Sequence, residues 1–320
     1  YELTSEKNGW VLNVGSGLEH ARYTSNTYQF KAIAEGTTLK NFSSELTFNK
    51  YALFGQLTSP FLKNKLRMII GLRTDFNDYS TGMSNPIKQV SPRIAFSYRL
   101  KDDINFNLSV ARFYQLPSYT VMGYKNEQNE LVNKLNAITY IRSDHLVSGL
   151  EYFLTDYSKI NLEGFYKSYD KYPFLVDEQL SLANLGGDFG VIGNDEVRSS
   201  SKGRSYGIEL LYQQKLSSSL YGLLSYTYVR SEFQNDQKNY VPSSWDNRHV
   251  LNLTAGKKLH KNWEIGLKFR YLGGAPFTPY DRDLSATKLV WDKLQQGVYD
   301  WSKLNEERNP ASHGLDIRID

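Results

Sequence analysis

Polar and apolar residues alternate one by one along many stretches of this chain, most cleanly in Val250 to Gly274. Two runs are joined there by a short basic turn, Lys257-Lys258-Leu259-His260-Lys261. In the second run Trp263, Ile265, Leu267, Phe269 and Tyr271 fall on one face. Asn262, Glu264, Gly266, Lys268 and Arg270 fall on the other. Successive side chains leave a pleated strand on opposite sides, so strict alternation predicts a strand with two unlike surfaces. Trp263 to Tyr271 spans roughly 26 Å at about 3.3 Å per residue. Tilted by about 45°, that length approaches the apolar band of an outer-membrane barrel, which aromatic girdles flank. A half-buried strand of a soluble sandwich alternates in the same way, and this hairpin alone leaves both open.

The pattern recurs along the chain. Trp10, Leu12 and Val14 predict a first strand near Gly9 to Ala21, followed by a polar, Ser/Thr/Asn-rich stretch to about Ser44. A second strand is expected near Glu45 to Thr58, with ambiguous facing, and a turn at Pro60 to Asn64. Leu66, Met68, Ile70 and Leu72 then oppose Arg67, Ile69, Gly71 and Arg73. Pro92, Ile94, Phe96 and Tyr98 oppose Ser91, Arg93, Ala95 and Ser97, and Ile104 to Val110 returns after Lys101-Asp102-Asp103. Leu146 to Leu154 and Ile160 to Tyr166 form the next hairpin. Tyr206, Ile208, Leu210 and Tyr212 oppose Gly207, Glu209, Leu211 and Gln213. Leu220 to Arg230 follows with unsettled facing, though Ser225 and Thr227 look polar. The last strand sets Leu315, Ile317 and Ile319 against Asp316 and Arg318.

About twelve strands result, and short turns alternate with long loops. The main loops are Gln115 to Arg142, the glycine-rich and strandless Asp170 to Gly203, and Gly273 to His313. A soluble sandwich has no reason to put every long loop at one end. An outer-membrane barrel does, with short periplasmic turns and long extracellular loops. No repeat of fixed period supports a propeller.

Composition fits that reading without proving it. No apolar run approaches the roughly 18 residues of a spanning helix, and the mean hydropathy is -0.52. A barrel passes both tests, because only every second strand residue faces lipid. The 24 Tyr, 16 Phe and 5 Trp suit interfacial belts and sugar or chelate binding equally. The absence of cysteine removes disulfides and thiolate metal sites. A net charge of +4 over 320 residues is too weak to argue for nucleic acid. The chain begins at Tyr1 without a signal peptide and stops inside an alternating run at Asp320, so it is expected to be an excerpt of a longer chain.

Few residues point to catalysis, and no enzyme, cofactor or metal site is expected. The five histidines form no H-E-x-x-H or other close metal pair. Asp281-Arg-Asp283-Leu-Ser285 starts like a calcium loop but lacks the glycine at position 6 and the closing Glu. Ser199-Ser-Ser-Lys202 has S-x-x-K spacing within what reads as solvated linker, and Gly186 to Gly190 fits no nucleotide fingerprint. The polar strand faces would line a lumen of mixed charge through Arg67, Arg73, Arg93, Glu163, Glu209, Lys268, Arg270, Asp316 and Arg318. They could grip a plug by charge-assisted hydrogen bonds, or simply make a wet interior. Tyr119, Tyr124, Trp291, Tyr299 and Trp301 could stack on a ligand, or pack on one another to keep long loops folded.

Local phrases add a family resemblance. Val90-Ser-Pro-Arg-Ile-Ala-Phe-Ser-Tyr98, Phe113-Tyr-Gln-Leu-Pro-Ser-Tyr119 and Gly203-Arg-Ser-Tyr-Gly-Ile-Glu209 resemble, in this order, strand phrases of the barrel half of TonB-dependent outer-membrane receptors. Trp245-Asp-Asn-Arg-His249, Gly273-Gly-Ala-Pro-Phe-Thr-Pro-Tyr-Asp281 and Asn305 to Arg318 continue the resemblance over most of the chain. Ser312 and Gly314 depart from it, standing where an aromatic before His313 and an arginine after it would be expected.

The resemblance implies an all-β, antiparallel transmembrane barrel of 22 strands, of which this partial barrel domain would hold roughly strands nine to twenty. It also implies an outer-membrane active transporter of a Gram-negative bacterium, set in outer-membrane lipid. An N-terminal plug domain would fill the barrel and engage the TonB energy-transducing complex; plug and final strands would lie outside this chain. The ligand would be scarce: a ferric siderophore, vitamin, peptide or glycan. The alternatives are a passive porin or barrel adhesin, and a soluble β-rich carbohydrate-binding module.

Overall fold

The computed structural model describes residues 1–33, 36–62, 65–186 and 192–320. Part of the Pro60 to Asn64 turn and most of the Gly186 to Gly190 run lie outside them. The architecture is one antiparallel sheet in which every long strand pairs with its sequence neighbours. Its thirteen wall strands are β1 Glu2–Lys7, β2 Trp10–Ile33, β3 Gly36–Phe61, β4 Leu66–Asn77, β5 Val90–Lys101, β6 Ile104–Gln115 and β7 Ile141–Thr155, then β8 Ser158–Leu175, β9 Val197–Ser217, β10 Leu220–Gln234, β11 Arg248–Lys258, β12 Glu264–Leu272 and β13 Ser312–Ile319. Leu180–Ser181 and Tyr240–Pro242 add short strands off this path. Among the described residues β1 and β13 do not pair, so the wall is open between them.

Register carries the two faces across the wall. Leu57, Ile70, Ile94, Val110, Leu146, Tyr166 and Tyr206 form one row of direct cross-strand neighbours. Five of them, Ile70 to Tyr166, are 43–48% exposed. A contiguous apolar belt of this kind is tolerated only in contact with lipid or another apolar surface. The opposite face holds the row Arg67, Ser97, Asn107, Gly149, Glu163, Glu209 and Thr227. The strand β10, whose facing the pattern left unsettled, resolves the same way. Leu224 and Tyr226 share the apolar face, and Ser225 and Thr227 the polar one.

Several sequence expectations change. The polar stretch to Ser44 is no loop: β2 and β3 pair continuously from Val11–Thr58 to Ile33–Gly36. Twenty-four residues at about 3.3 Å each reach roughly 80 Å, over twice what a band about 25 Å tall requires of a tilted strand. The hairpin therefore rises far beyond the apolar belt. The reason lies in its side chains. In the belt, Trp10, Leu12, Val14 and Leu18 share one face; above it, that face carries His20, Arg22 and Thr24, and Arg22 pairs with Glu45 at 2.9 Å. Apolar residues move to the opposite face there, where Ala21 faces Phe48, Tyr23 faces Leu46, and Ala21, Leu46 and Phe48 are buried.

Asp170 to Gly203 is likewise only partly loop, since β8 runs to Leu175 and β9 begins at Val197. Ser199 to Lys202 is therefore strand, interrupted by register shifts, and Ser199 Oγ accepts a hydrogen bond from the Thr139 amide at 3.0 Å. β1 adds a strand that the alternation does not predict, since Glu2–Lys7 carries little apolar alternation. Trp263 lies just outside β12, in the turn, where its carbonyl accepts from the Leu259 amide at 2.7 Å.

Candidate functional site

Residues 78–89, 116–140, 176–196, 235–247 and 273–311 connect strands at one rim, and two- to five-residue turns connect them at the other. The rim loops do not dangle. They fold onto the upper polar-face side of β2 and β3, burying Met83, Val121, Met122, Ile138, Leu175 and Leu180 with Leu46 and Phe48. Asn133, fully buried, substitutes for missing secondary structure: its Nδ2 donates to the carbonyls of Val121 (2.7 Å) and Asp195 (2.9 Å), and its Oδ1 accepts from the Val197 amide (2.8 Å).

Three phrases that were separate in sequence meet in one joint. Asp246, from Trp245 to His249, is fully buried. Its Oδ1 accepts from the Ser231 amide at 2.7 Å, and its carboxylate pairs with Arg308 and, at 3.5 Å, with Arg230. Arg308 Nη1 also donates to the carbonyls of Asp246 (2.6 Å) and Gly274 (2.9 Å). Asn305 Nδ2 donates to the carbonyls of Asn184 and Pro242, both at 2.8 Å, and its amide donates to Thr278 Oγ1 at 3.1 Å. Gly274 is needed here, because a Cβ would sit 1.7 Å from the Asn309 carbonyl oxygen. Beside the joint, Phe233 is fully buried against Tyr172 (4.8 Å between centroids) and Tyr169 (5.3 Å). A Cβ on Gly203 would meet the Phe233 ring at 2.4 Å.

A second polar knot ties the tall hairpin to the 176–196 loop. Lys31 reaches Glu178, Asp195 (2.8 Å) and Asp177 (3.5 Å), and Lys40 also holds Asp195. Burial pushes the Asp195 carboxyl up, but the Lys40 and Lys31 ammoniums outweigh it and hold it below its ordinary value. Burial likewise pulls Lys31 down, and Asp195 and Glu178 outweigh that to raise it. Asp177, Glu178 and Asp195 bring carboxylate oxygens within 4.8 Å of one another, with Lys31 Nζ on all three.

The five loop aromatics separate into two groups. Tyr119 packs on Phe48 and Tyr23, both at 5.7 Å, and Tyr124 on Phe42 at 5.6 Å. In the 273–311 loop Tyr299 stacks on Tyr280 at 5.1 Å and contacts Trp301 at 5.2 Å. Trp291, on the Lys288–Leu294 helix, and Trp301 are exposed. Asp281, the start of the calcium-like phrase, caps a helical turn instead, its Oδ1 accepting from the Leu284 amide at 2.9 Å.

The nine charged wall residues all fall on the polar face by register. Arg93 lies over the Phe113 ring at 4.5 Å, Arg73 holds Asp75 at 2.6 Å, Arg318 holds Asp320 at 2.7 Å, and Arg270 approaches Asp316 at 3.7 Å. Lys268 is the cross-strand neighbour of Asp316. Glu163 and Glu209 are direct neighbours of like charge, which a sheet does not favour by itself. Arg67 and Glu163 line one hollow with Ser97, Asn107 and Gly149. Sequence reasoning named no role for Asp246, Asn305, Arg308, Lys31 or Asp195. The first three stood inside quoted phrases, while the lysine knot carries no local signal.

An antiparallel wall with a lipid-type belt, a polar inner row and loops gathered at one rim defines a transmembrane β-barrel. The chain belongs to the TonB-dependent receptors: residues 1–300 match the family described as TonB dependent receptor-like, beta-barrel. Among solved structures it is similar to the copper transporter OprC, with 17% identity and a TM-score of 0.63 over 99% of this chain and 47% of that one. The ferric enterobactin receptor PfeA of Pseudomonas aeruginosa gives 17% and 0.63 over 97% and 43%. The ferric-catecholate import receptor Fiu of E. coli gives 12% and 0.62 over 99% and 46%. At such identities the likeness is one of fold, and this chain spans less than half of each of these structures. No curated protein sequence matches it.

Proposed function

We propose that this chain forms the wall and the extracellular ligand vestibule of an energy-coupled importer in a Gram-negative outer membrane. Its polar face would hold the receptor's own plug domain, and the TonB complex would drive release of a scarce ligand captured by the rim loops. The observation that carries this reading is the joint at Asp246, Asn305 and Arg308. It roots the 273–311 loop on its neighbours, and recognition loops work when a rigid scaffold fixes their roots. Support for a plug comes from the wall itself: the neighbouring carboxylates of Glu163 and Glu209 and the hollow beside Arg67 offer charge-assisted partners to an inserted domain. The similar structures are of a copper transporter, a ferric enterobactin receptor and a ferric-catecholate import receptor; for this chain the ligand class stays at a small chelate, vitamin, peptide or glycan. The test is deletion of 284–304 in the full-length receptor. Surface binding and uptake are expected to be lost while the barrel still assembles. Survival of both would move recognition to the plug or the other loops.

A further inference from the structure

The polar face of β4 to β9 is banded by height. The row already described, from Arg67 to Glu209, is followed two residues nearer the long loops by Ile69, Ala95, Ser109, Val147 and Phe165. Two residues nearer still come Arg93, Ala111, His145 and Lys167, again direct cross-strand neighbours. β8 alone presents Glu163, Phe165 and Lys167 in succession on this face. Its acid and its base therefore stand about 13 Å apart along the strand, with an aromatic ring between them.

The middle band opens into a hollow of about 260 Å³, lined by Ile69, Ala95 and Val147, with Arg67 and Glu163 also in its wall. An apolar cavity of about 150 Å³ takes up benzene, so this hollow has room for one large apolar side chain. A lumen filled only with water gives no reason for such an order. Apolar groups would face water in the middle band, and Glu163 and Glu209 would stand side by side uncompensated. Among the described residues Glu163, Glu209, Arg93 and Lys167 make no ion pair within 4.0 Å. Arg93 and Lys167 rest only on the rings of Phe113 (4.5 Å) and Phe165 (5.0 Å).

An apolar centre between charged margins is the anatomy of a protein interface. Margins of opposite sign also fix which way up a partner sits, because reversing it would set like charges together. We infer that this patch seats the receptor's own plug and sets its height and orientation. An apolar plug side chain enters the hollow. A basic plug group lies against Glu163 and Glu209, and an acidic one lies nearer the loops against Arg93 and Lys167. The inference rests on the plug reading given above, and adds where the plug docks and what surface it presents there.

The experiment uses the intact receptor in detergent, with a single reactive cysteine labelled by a methanethiosulfonate reagent. Ser109→Cys, in the hollow, is expected to react at least about tenfold more slowly than Ile87→Cys on an exposed part of the rim. Glu163→Lys with Glu209→Lys, and separately Arg93→Glu with Lys167→Glu, should each speed labelling at 109 by at least about threefold, with heat-modifiability in SDS retained. Plug substitutions that restore slow labelling should exchange Lys or Arg for Asp or Glu with the first pair, and the reverse with the second. Labelling at 109 as fast as at 87, no response to either pair, or suppressors of the opposite sign or confined to the rim loops overturns the inference. If labelling at 109 is fast, Thr227→Cys on the polar row separates the two readings. Slow labelling at 227 keeps a plug in the lumen and removes only this seat, whereas fast labelling there removes the plug as well.

Discussion

Arg308 grips Asp246 twice, at the main chain and at the side chain. Its Nη1 donates to the Asp246 carbonyl at 2.6 Å while its Nη2 meets the carboxylate, and Asp246 itself is fully buried. The two lie 62 positions apart in the chain. The pair turns the longest rim loop from a tether into a fixed arm, because the loop is pinned near its far end as well as at its strand.

Removing one partner of such a pair leaves the other buried and uncompensated. Breaking buried pairs costs about 3–5 kcal/mol, and the partial exposure of Arg308 lowers the expectation here. Arg308→Met in the full-length receptor should speed proteolysis of the 284–304 segment on whole cells by at least about tenfold, with the barrel still heat-modifiable. An unchanged cleavage rate would show that the joint does not hold the loop.

The register places Ile265, Leu267 and Phe269 on the apolar face and Lys268 and Arg270 on the polar face. Spin labels at 267 and 268 in the assembled receptor should therefore respond oppositely, position 267 to oxygen and position 268 to a polar relaxant. Matching accessibility at both positions would remove the lipid-facing assignment of β12.

Gly203→Ala is expected to destabilise the barrel rim, since the new methyl would sit 2.4 Å from the Phe233 ring. Overpacking of this kind costs about 1–3 kcal/mol. The transition to the denatured form in SDS should fall in temperature, and Phe233→Leu should restore part of the loss by making room. No fall in the single variant would mean that Phe233 can move aside freely.

The lysine knot predicts a pH dependence of definite sign. Burial raises the Asp195 carboxyl, and the Lys40 and Lys31 ammoniums more than reverse this, so its folded value lies below the ordinary 3.8. A depressed carboxylate contributes stability that is complete above its unfolded value and is lost as pH falls through the folded one. The distance between spin labels at positions 29 and 192 should stay constant from neutral pH to about pH 4 and lengthen below it. Asp195→Asn should give the long distance throughout. A distance indifferent to acid in the native receptor would mean that the knot does not hold the loop.

Alternation alone made the wall legible. From Leu66 onward most strands showed their two faces, because one side meets lipid or an equivalent apolar phase and the other does not; β10 needed its register with β9 and β11 to settle its facing. The same reading failed on β2 and β3, and the failure is informative. From Trp10 to Leu18 the apolar residues point one way; from Ala21 to Tyr23 they point the other, as Leu46 and Phe48 do on the paired strand. Above the belt the outer medium is water and the inner one is the packed rim loops, so the binary pattern inverts while the backbone continues unbroken. A reader of one strand sees the alternation lapse and calls a loop. What the sequence determined by itself was the period, the belt and the phrases that mark the family. Where those phrases meet depended on loop segments far apart in the chain folding into one another. Asp246 finds Arg308, and Lys31 finds Asp195 across 164 residues, only once the sheet has set the distances between the loop roots. Such contacts carry no period for a sequence to display, which is why the tertiary structure alone decided them.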